Sequence, residues 1–170
     1  MAWLRLNPAI PAWQRPLGDE HSGWVSHASA CELHGIGDLP ADTVQILVPR
    51  RRTTREPGVR LRRAEVAPRD ATVVDGLPVT TVERTICDLL ADRVDAGHIG
   101  GVLADADRMG LVDTRRLADR TRLYVRSYGL PRGKTGADLL STLVASAGYV
   151  LREEPPSETA SPGENARGVA

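Results

Sequence analysis

Three stretches of this 170-residue chain carry residue types that could do chemistry. His27, Cys31 and His34 recur at i, i+4 and i+7, so a helix would set them on one face, where imidazole and thiolate are soft ligands for zinc. A structural zinc site needs four ligands, and neither His21 nor His98 stands at a fixed interval from this trio. A packed helix with buried or capping histidines is the better reading. Gly129-Leu130-Pro131-Arg132-Gly133-Lys134-Thr135 imitates a phosphate-binding loop. That loop needs four residues between its glycines and a strand before it; here there are three, after a helical pattern. The carboxylates Asp88, Asp92, Asp95, Asp105 and Asp107 are numerous, but helical spacing scatters them over solvent-facing positions without a partnering lysine or histidine. No Gly-x-Ser-x-Gly, His-Glu-x-x-His or paired Cys-x-x-Cys occurs. The residues thus assemble no catalytic site and no metal site, and imply no cofactor, no small-molecule substrate and no enzyme.

What remains is charge. The net charge is zero, so the whole chain is not a general polyanion binder. Its distribution is uneven. Eight arginines lie between Pro49 and Arg69 against Glu56 and Glu65, and seven acidic residues lie between Glu83 and Asp113 against three arginines. The run Arg50, Arg51, Arg52, Arg55 reads as a solvated loop or as a tip that clamps phosphates or a partner. The acidic stretch, with Asp88, Asp92, Asp105 and Asp107, reads as a solvated face or as one that docks a basic protein surface. The only lysine is Lys134.

The elements that position these groups centre on residues 73–90. Thr72-Val73-Val74 is β-branched, Asp75-Gly76 signals a turn, and Leu77-Pro78-Val79 continues extended. A helix follows, with Thr80 as cap and Glu83 three residues on as a capping box. Val82, Ile86, Leu89 and Leu90 form its apolar stripe, leaving Glu83, Arg84, Asp88 and Asp92 mostly off it. Upstream, Ser26 caps a helix from His27 to His34 that ends at Gly35. Residues 43–48 and 59–64 read as two strands of a hairpin with a basic connection. Downstream, a helix runs from Asp95 to near Gly110. Another starts at Asp113 or Thr114, with Arg115, Arg116, Arg120, Arg122 and Arg126 covering its polar face. A last one spans 137–147. Strands precede helices, which argues for an α+β fold: a mixed sheet from the N-terminal half, packed by a C-terminal run of four helices.

Residues 1–22 form an arm broken by Pro8, Pro11 and Pro16, carrying Trp3 and Trp13. It either lies over the core or offers its aromatics to a partner. Residues 23–150 form the domain, and 151–170 read as a disordered tail. No apolar run approaches the ~20 residues of a membrane span, and the N-terminus is too polar for a signal peptide. Cys31 and Cys87 both fall in helical pattern and read as buried thiols, which fits a cytoplasmic protein.

The stretches from Val25 to Gly35 (VSHASACELHG) and from Gly76 to Leu90 (GLPVTTVERTICDLL), in this order and with a basic strand-loop-strand between them, resemble the C-terminal domain of AbiEi-type antitoxins. The resemblance covers roughly residues 20–148. It implies an antitoxin that neutralises an AbiEii-type nucleotidyltransferase toxin, as in the MenA/MenT pairs, whose toxins add nucleotides to transfer RNA. Direct binding and occlusion fit the residues best, with Trp3, Trp13, Asp88, Asp92, Asp105 and Asp107 as candidate contacts. The motif residues Ser26, His34, Gly35, Gly76, Pro78, Thr80, Glu83, Arg84 and Asp88 are expected to be mainly structural. Family members usually carry an N-terminal winged helix that binds operator DNA; here Ala2 to Pro16 resembles the linker after it. A role as transcriptional repressor of its own operon, through Arg50, Arg51, Arg52 and Arg55, is the alternative.

Overall fold

The computed structural model describes residues 2–7, 9–11, 14–15 and 23–152. Asp75 and Gly76, at φ of 50° and 75°, make a two-residue turn of type I′ geometry between β4 (Ala71–Val74) and β5 (Leu77–Thr80). The two strands pair antiparallel from Ala71 opposite Thr80 to Val74 opposite Leu77. Pro78 lies opposite Val73, one step beyond the hydrogen-bonded pair at the turn, so the β4–β5 ladder loses no bond to its missing N–H. On its other side β5 runs parallel to β1 (Trp24–Val25), with Val25 opposite Val79. β1 pairs antiparallel with β2 (Val44–Val48), and β3 (Val59–Arg63) closes the edge, giving the order β3-β2-β1-β5-β4. The mixed sheet and the α+β class expected from the sequence are both present.

The expected hairpin fails. β2 and β3 are not a hairpin; they run parallel, Val44 opposite Val59 through Val48 opposite Arg63. The turn chemistry of Pro57-Gly58 is real, but residues 49–58 are too long for a tight hairpin loop of 2–5 residues. The connection instead travels back along the sheet and is tied to the N-terminal arm. Arg52 Nη2 donates to Leu6 O at 3.0 Å, and Arg5 pairs with Glu56.

The helices follow their sequence signals. α2 (His27–His34) ends at Gly35 in the left-handed region, φ 69°. Ser26 holds the N-cap position, yet its side chain makes no capping bond; its hydroxyl lies 2.9 Å from His27 Nδ1 instead. α3 (Val82–Ala91) is capped by Thr81, whose side chain accepts from Arg84 N, and not by Thr80. Thr80 is the fully buried last residue of β5, its Oγ1 2.7 Å from Thr85 Oγ1. The capping box with Glu83 therefore does not form: Thr81 N donates to Asp70 O at 2.9 Å. α4 (Ala96–Arg108) is capped by Asp95, α5 (Thr114–Thr121) by Asp113, and α6 (Gly136–Ser146) by Thr135.

Two apolar clusters result. One face of the sheet, with Val25, Ile46, Val48 and Val79, is covered by Ala30 of α2 and by Trp3 and Leu6 of the arm, where α1 (Ala2–Arg5) forms a single turn. The larger cluster joins α3 to α6 through Ile86, Leu90, Ile99, Leu103, Leu117 and Leu140. α2 belongs to both, Ala30 turned to the sheet and Cys31 to the helices.

Two glycines lie directly against the backbone of a neighbouring helix. A Cβ on Gly100 would stand 2.2 Å from Leu143 O, and one on Gly136 would stand 1.8 Å from Ala118 O. Backbone oxygens cannot rotate aside. Gly100→Ala gains up to ~1 kcal/mol of helix propensity, but overpacking against a fixed carbonyl costs ~1–3 kcal/mol. The neighbouring Gly101 has nothing within 4 Å of such an atom. In urea unfolding, Gly100→Ala should therefore lower the midpoint and Gly101→Ala should raise it.

Candidate functional site

Arg84, Asp88 and Asp92 stand four residues apart along α3, so they share one stripe. Sequence spacing places that stripe in solvent; the structure turns Arg84 and Asp88 inward and leaves Asp92 exposed at the end of the helix. The Arg84 and Asp88 side chains are only 16% and 13% exposed. Arg84 Nε donates to Asp88 Oδ1 at 2.8 Å, and its Nη1 donates to Glu65 O at 3.1 Å and lies 3.7 Å from Asp70 Oδ2. Asp70, buried in the 3-10 turn Pro68–Asp70, also lies 2.9 Å from Arg120 of α5. Its Oδ1 has no directional hydrogen bond despite that distance, so the contact is one of charge. At the far end Asp92 meets Arg62 of β3 at 2.5 Å and His27 Nε2 at 3.4 Å. Three carboxylates and three guanidiniums thus face one another across α2, α3, α5, β3 and the 3-10 turn.

Burial sets the titration of this layer. His27 is 4% exposed and reaches its place through a left-handed φ of 55°. Desolvation, with Arg62 beside it, lowers its pKa from 6.5 to about 4, so the ring is neutral at pH 7. A consistent arrangement has Ser26 donate to Nδ1 and Nε2–H face Asp92. The Asp88 carboxyl is pushed above its ordinary value by burial, against the pull of Arg84. Its Oδ2 and Arg62 Nε are buried with no hydrogen-bond partner among the described residues.

The other groups singled out from the sequence go to separate places. His27, Cys31 and His34 do not converge: Cys31 is in the helical core, and His34 Nε2 donates to Thr80 O at 2.8 Å, fastening α2 to the end of β5. Among the described residues no group of three or more His, Cys, Asp or Glu is placed to hold a metal. Burial drives the Cys31 thiol up to about 12 and raises that of Cys87. Asp105 accepts from Gly37 N at 2.8 Å and pairs with Arg108. Asp107 is buried and accepts from Tyr149 Oη at 2.8 Å and Arg152 N at 3.0 Å, holding the end of the domain to α4. Trp3 is 4% exposed; its Nε1 donates to Gly23 O, and the Arg15 guanidinium sits 4.6 Å over its ring. Trp13 lies outside the described residues. The phosphate-loop imitation is a helix cap. Thr135 and Asp138 form a reciprocal box, and Lys134 pairs with Asp138 at 2.9 Å.

In the basic connection Arg50, Arg51 and Arg55 are exposed, while Arg52 is half-buried on the arm. The structure brings the two sequence blocks together at one junction: Ser26 and His34 from the first, Thr80, Arg84 and Asp88 from the second. Sequence reasoning missed Asp70, Arg62 and Arg120. The i, i+4 spacing of Arg84 and Asp88 was a usable signal; Asp70 carried none.

Two consequences are measurable. Arg84→Met keeps much of the apolar stem but leaves Asp88 without its cation, and Asp70 with Arg120 alone. Removing one partner of a buried pair costs several kcal/mol, so the variant should lose ~2–4 kcal/mol at pH 7 by denaturant unfolding. His27 binds a proton in the unfolded chain below 6.5 but in the folded chain only near 4. The unfolded state therefore holds more protons in that window, and stability falls as pH drops through it, by up to roughly 3 kcal/mol. Asp88, raised by burial, acts with the opposite sign to this fall in stability. His27→Gln should flatten it.

No curated protein matches the chain. The sequence model described as the AbiEi antitoxin C-terminal domain matches residues 23–128, from just before β1 to the turn after α5. That span holds the whole sheet and the entire ionic layer, and is well over half of the sequence: the chain belongs to the AbiEi antitoxin family, the antitoxin side of a toxin–antitoxin system.

Proposed function

We propose that this antitoxin neutralises a nucleotidyltransferase toxin by binding it directly and occluding it, in the cytoplasm. The family match over residues 23–128 carries the reading, because it makes a cognate toxin the partner; the toxin class is the one the sequence resemblance implies. The chemistry of the interior supports binding. Asp70, Asp88, Asp92 and Asp107 are engaged with cations, hydroxyl or backbone groups of the chain itself. Both thiols are held in the protonated form by burial. Two free cysteines also suit a reducing compartment.

Co-expression with its cognate toxin, followed by size-exclusion chromatography with light scattering, tests this. The expected result is a co-eluting complex whose mass gives the stoichiometry, and restored growth. Separate elution with toxin activity still suppressed in cells would refute occlusion. A second reading, repression of its own operon, rests on the exposed Arg50, Arg51 and Arg55. It requires salt-sensitive binding to a promoter fragment, with a log–log slope of about −0.9 per phosphate neutralised.

A further inference from the structure

One group of unpaired arginines lies on a single helical face. Along α5 and the 3-10 turn Arg122–Tyr124 that continues it, Leu117, Thr121 and Val125 are buried four residues apart, with Tyr124 and Tyr128 half-buried beside them. The opposite side presents Arg115, Arg116, Arg122 and Arg126, all exposed. Arg69, on the turn before β4, joins Arg116 and Arg120 in lining a cleft of about 300 Å³. Among the described residues, the guanidiniums of Arg69, Arg115, Arg116, Arg122 and Arg126 have no ion-pair or hydrogen-bond partner. Among these arginines Leu123 stands 77% exposed.

We propose that this face of α5 is the docking surface for an acidic, partly apolar protein surface, that of the toxin; this rests on the antitoxin reading above. Cationic charge alone would suit a phosphate backbone equally. Two features favour a protein. An exposed leucine ringed by arginines has the composition of an interface centre, where arginine is enriched and an apolar anchor fills a pocket. A sugar-phosphate backbone offers no such pocket. Asp119, also exposed, lines both the Arg69–Arg116 cleft and the neighbouring one that holds Arg122 and Lys134. A carboxylate there repels phosphates but can pair with a cation on a protein partner. Of the acidic candidates for docking the toxin, Asp88 and Asp107 are largely buried, and Asp92 and Asp105 are already paired with arginines of the chain itself.

The test uses the full chain and its cognate toxin. Binding is titrated at rising salt for wild type, Leu123→Asp, the double variant Arg122→Glu with Arg126→Glu, and the double variant Arg51→Glu with Arg55→Glu. All the substituted side chains are exposed, and unchanged circular dichroism and Tm verify folding. The proposal expects wild-type affinity to fall with salt, both α5 variants to bind at least roughly tenfold more weakly, and the loop variant to bind as wild type. Wild-type affinity from folded α5 variants overturns the surface while leaving direct neutralisation intact. Absence of any wild-type complex overturns both. Loss of binding to a random-sequence duplex by the α5 variants, with toxin binding unchanged, makes the face a nucleic-acid site and refutes the proposal.

Discussion

The guanidinium of Arg84 reaches three acceptors that arrive from three parts of the chain: Asp88 one turn along α3, the carbonyl of Glu65 after β3, and Asp70 before β4. Its neighbours extend the same logic, Arg120 bringing in α5, Arg62 the edge strand, and His27 the start of α2. Taking these charges out of water costs several kcal/mol per ion, and the mutual attraction of three anions and three cations offsets it only if all are present together. The layer thus contributes little to net stability for its size. What it supplies is placement, since in this arrangement each charge meets an opposite one.

That placement matters because the described residues form two apolar clusters rather than one. The sheet closes against the arm and α2, and the helices close against one another. Apolar contact is non-directional, so two such clusters could slide. The ionic layer, the bond from His34 to Thr80 and the contact between Thr80 and Thr85 fix how they meet. Of these residues His27, His34, Thr80, Arg84, Thr85 and Asp88 lie in the two stretches that carry the family resemblance, so that resemblance includes polar positions as well as apolar ones.

Much of this was legible in the sequence, and the failures have physical causes. Asp75-Gly76 identifies its own turn because few residues accept two successive positive φ values. The helices of α3, α4 and α6 declare themselves through apolar spacing and caps that are local. The direction of β3 is not local. Pro57-Gly58 describes how the chain bends, not where it goes over the preceding ten residues. The charged stripe of α3 misleads for a different reason. Helical spacing shows that Arg84, Asp88 and Asp92 share a face, but the groups that meet that face, Asp70 and Arg62, and Arg120 behind Asp70, are distant in the chain. Thr80 and Thr81 could each cap α3, and the choice depends on Thr80 being needed in the sheet.

The strand order has a temporal meaning as well. β1 is central, yet it is only two residues long, and its neighbours come from residues 46–47 on one side and residue 79 on the other. Its parallel partner therefore leaves the ribosome more than fifty residues after it does. Until β5 is available, Trp24, Val25 and the arm above them have no complete surface to close upon. Contacts of such long sequence separation must bear the entropy of loop closure before they are rewarded. The sheet is thus assembled by residues 77–80, and the same four residues lead directly into α3. Completing the sheet and starting the helical half are one event in the history of the chain.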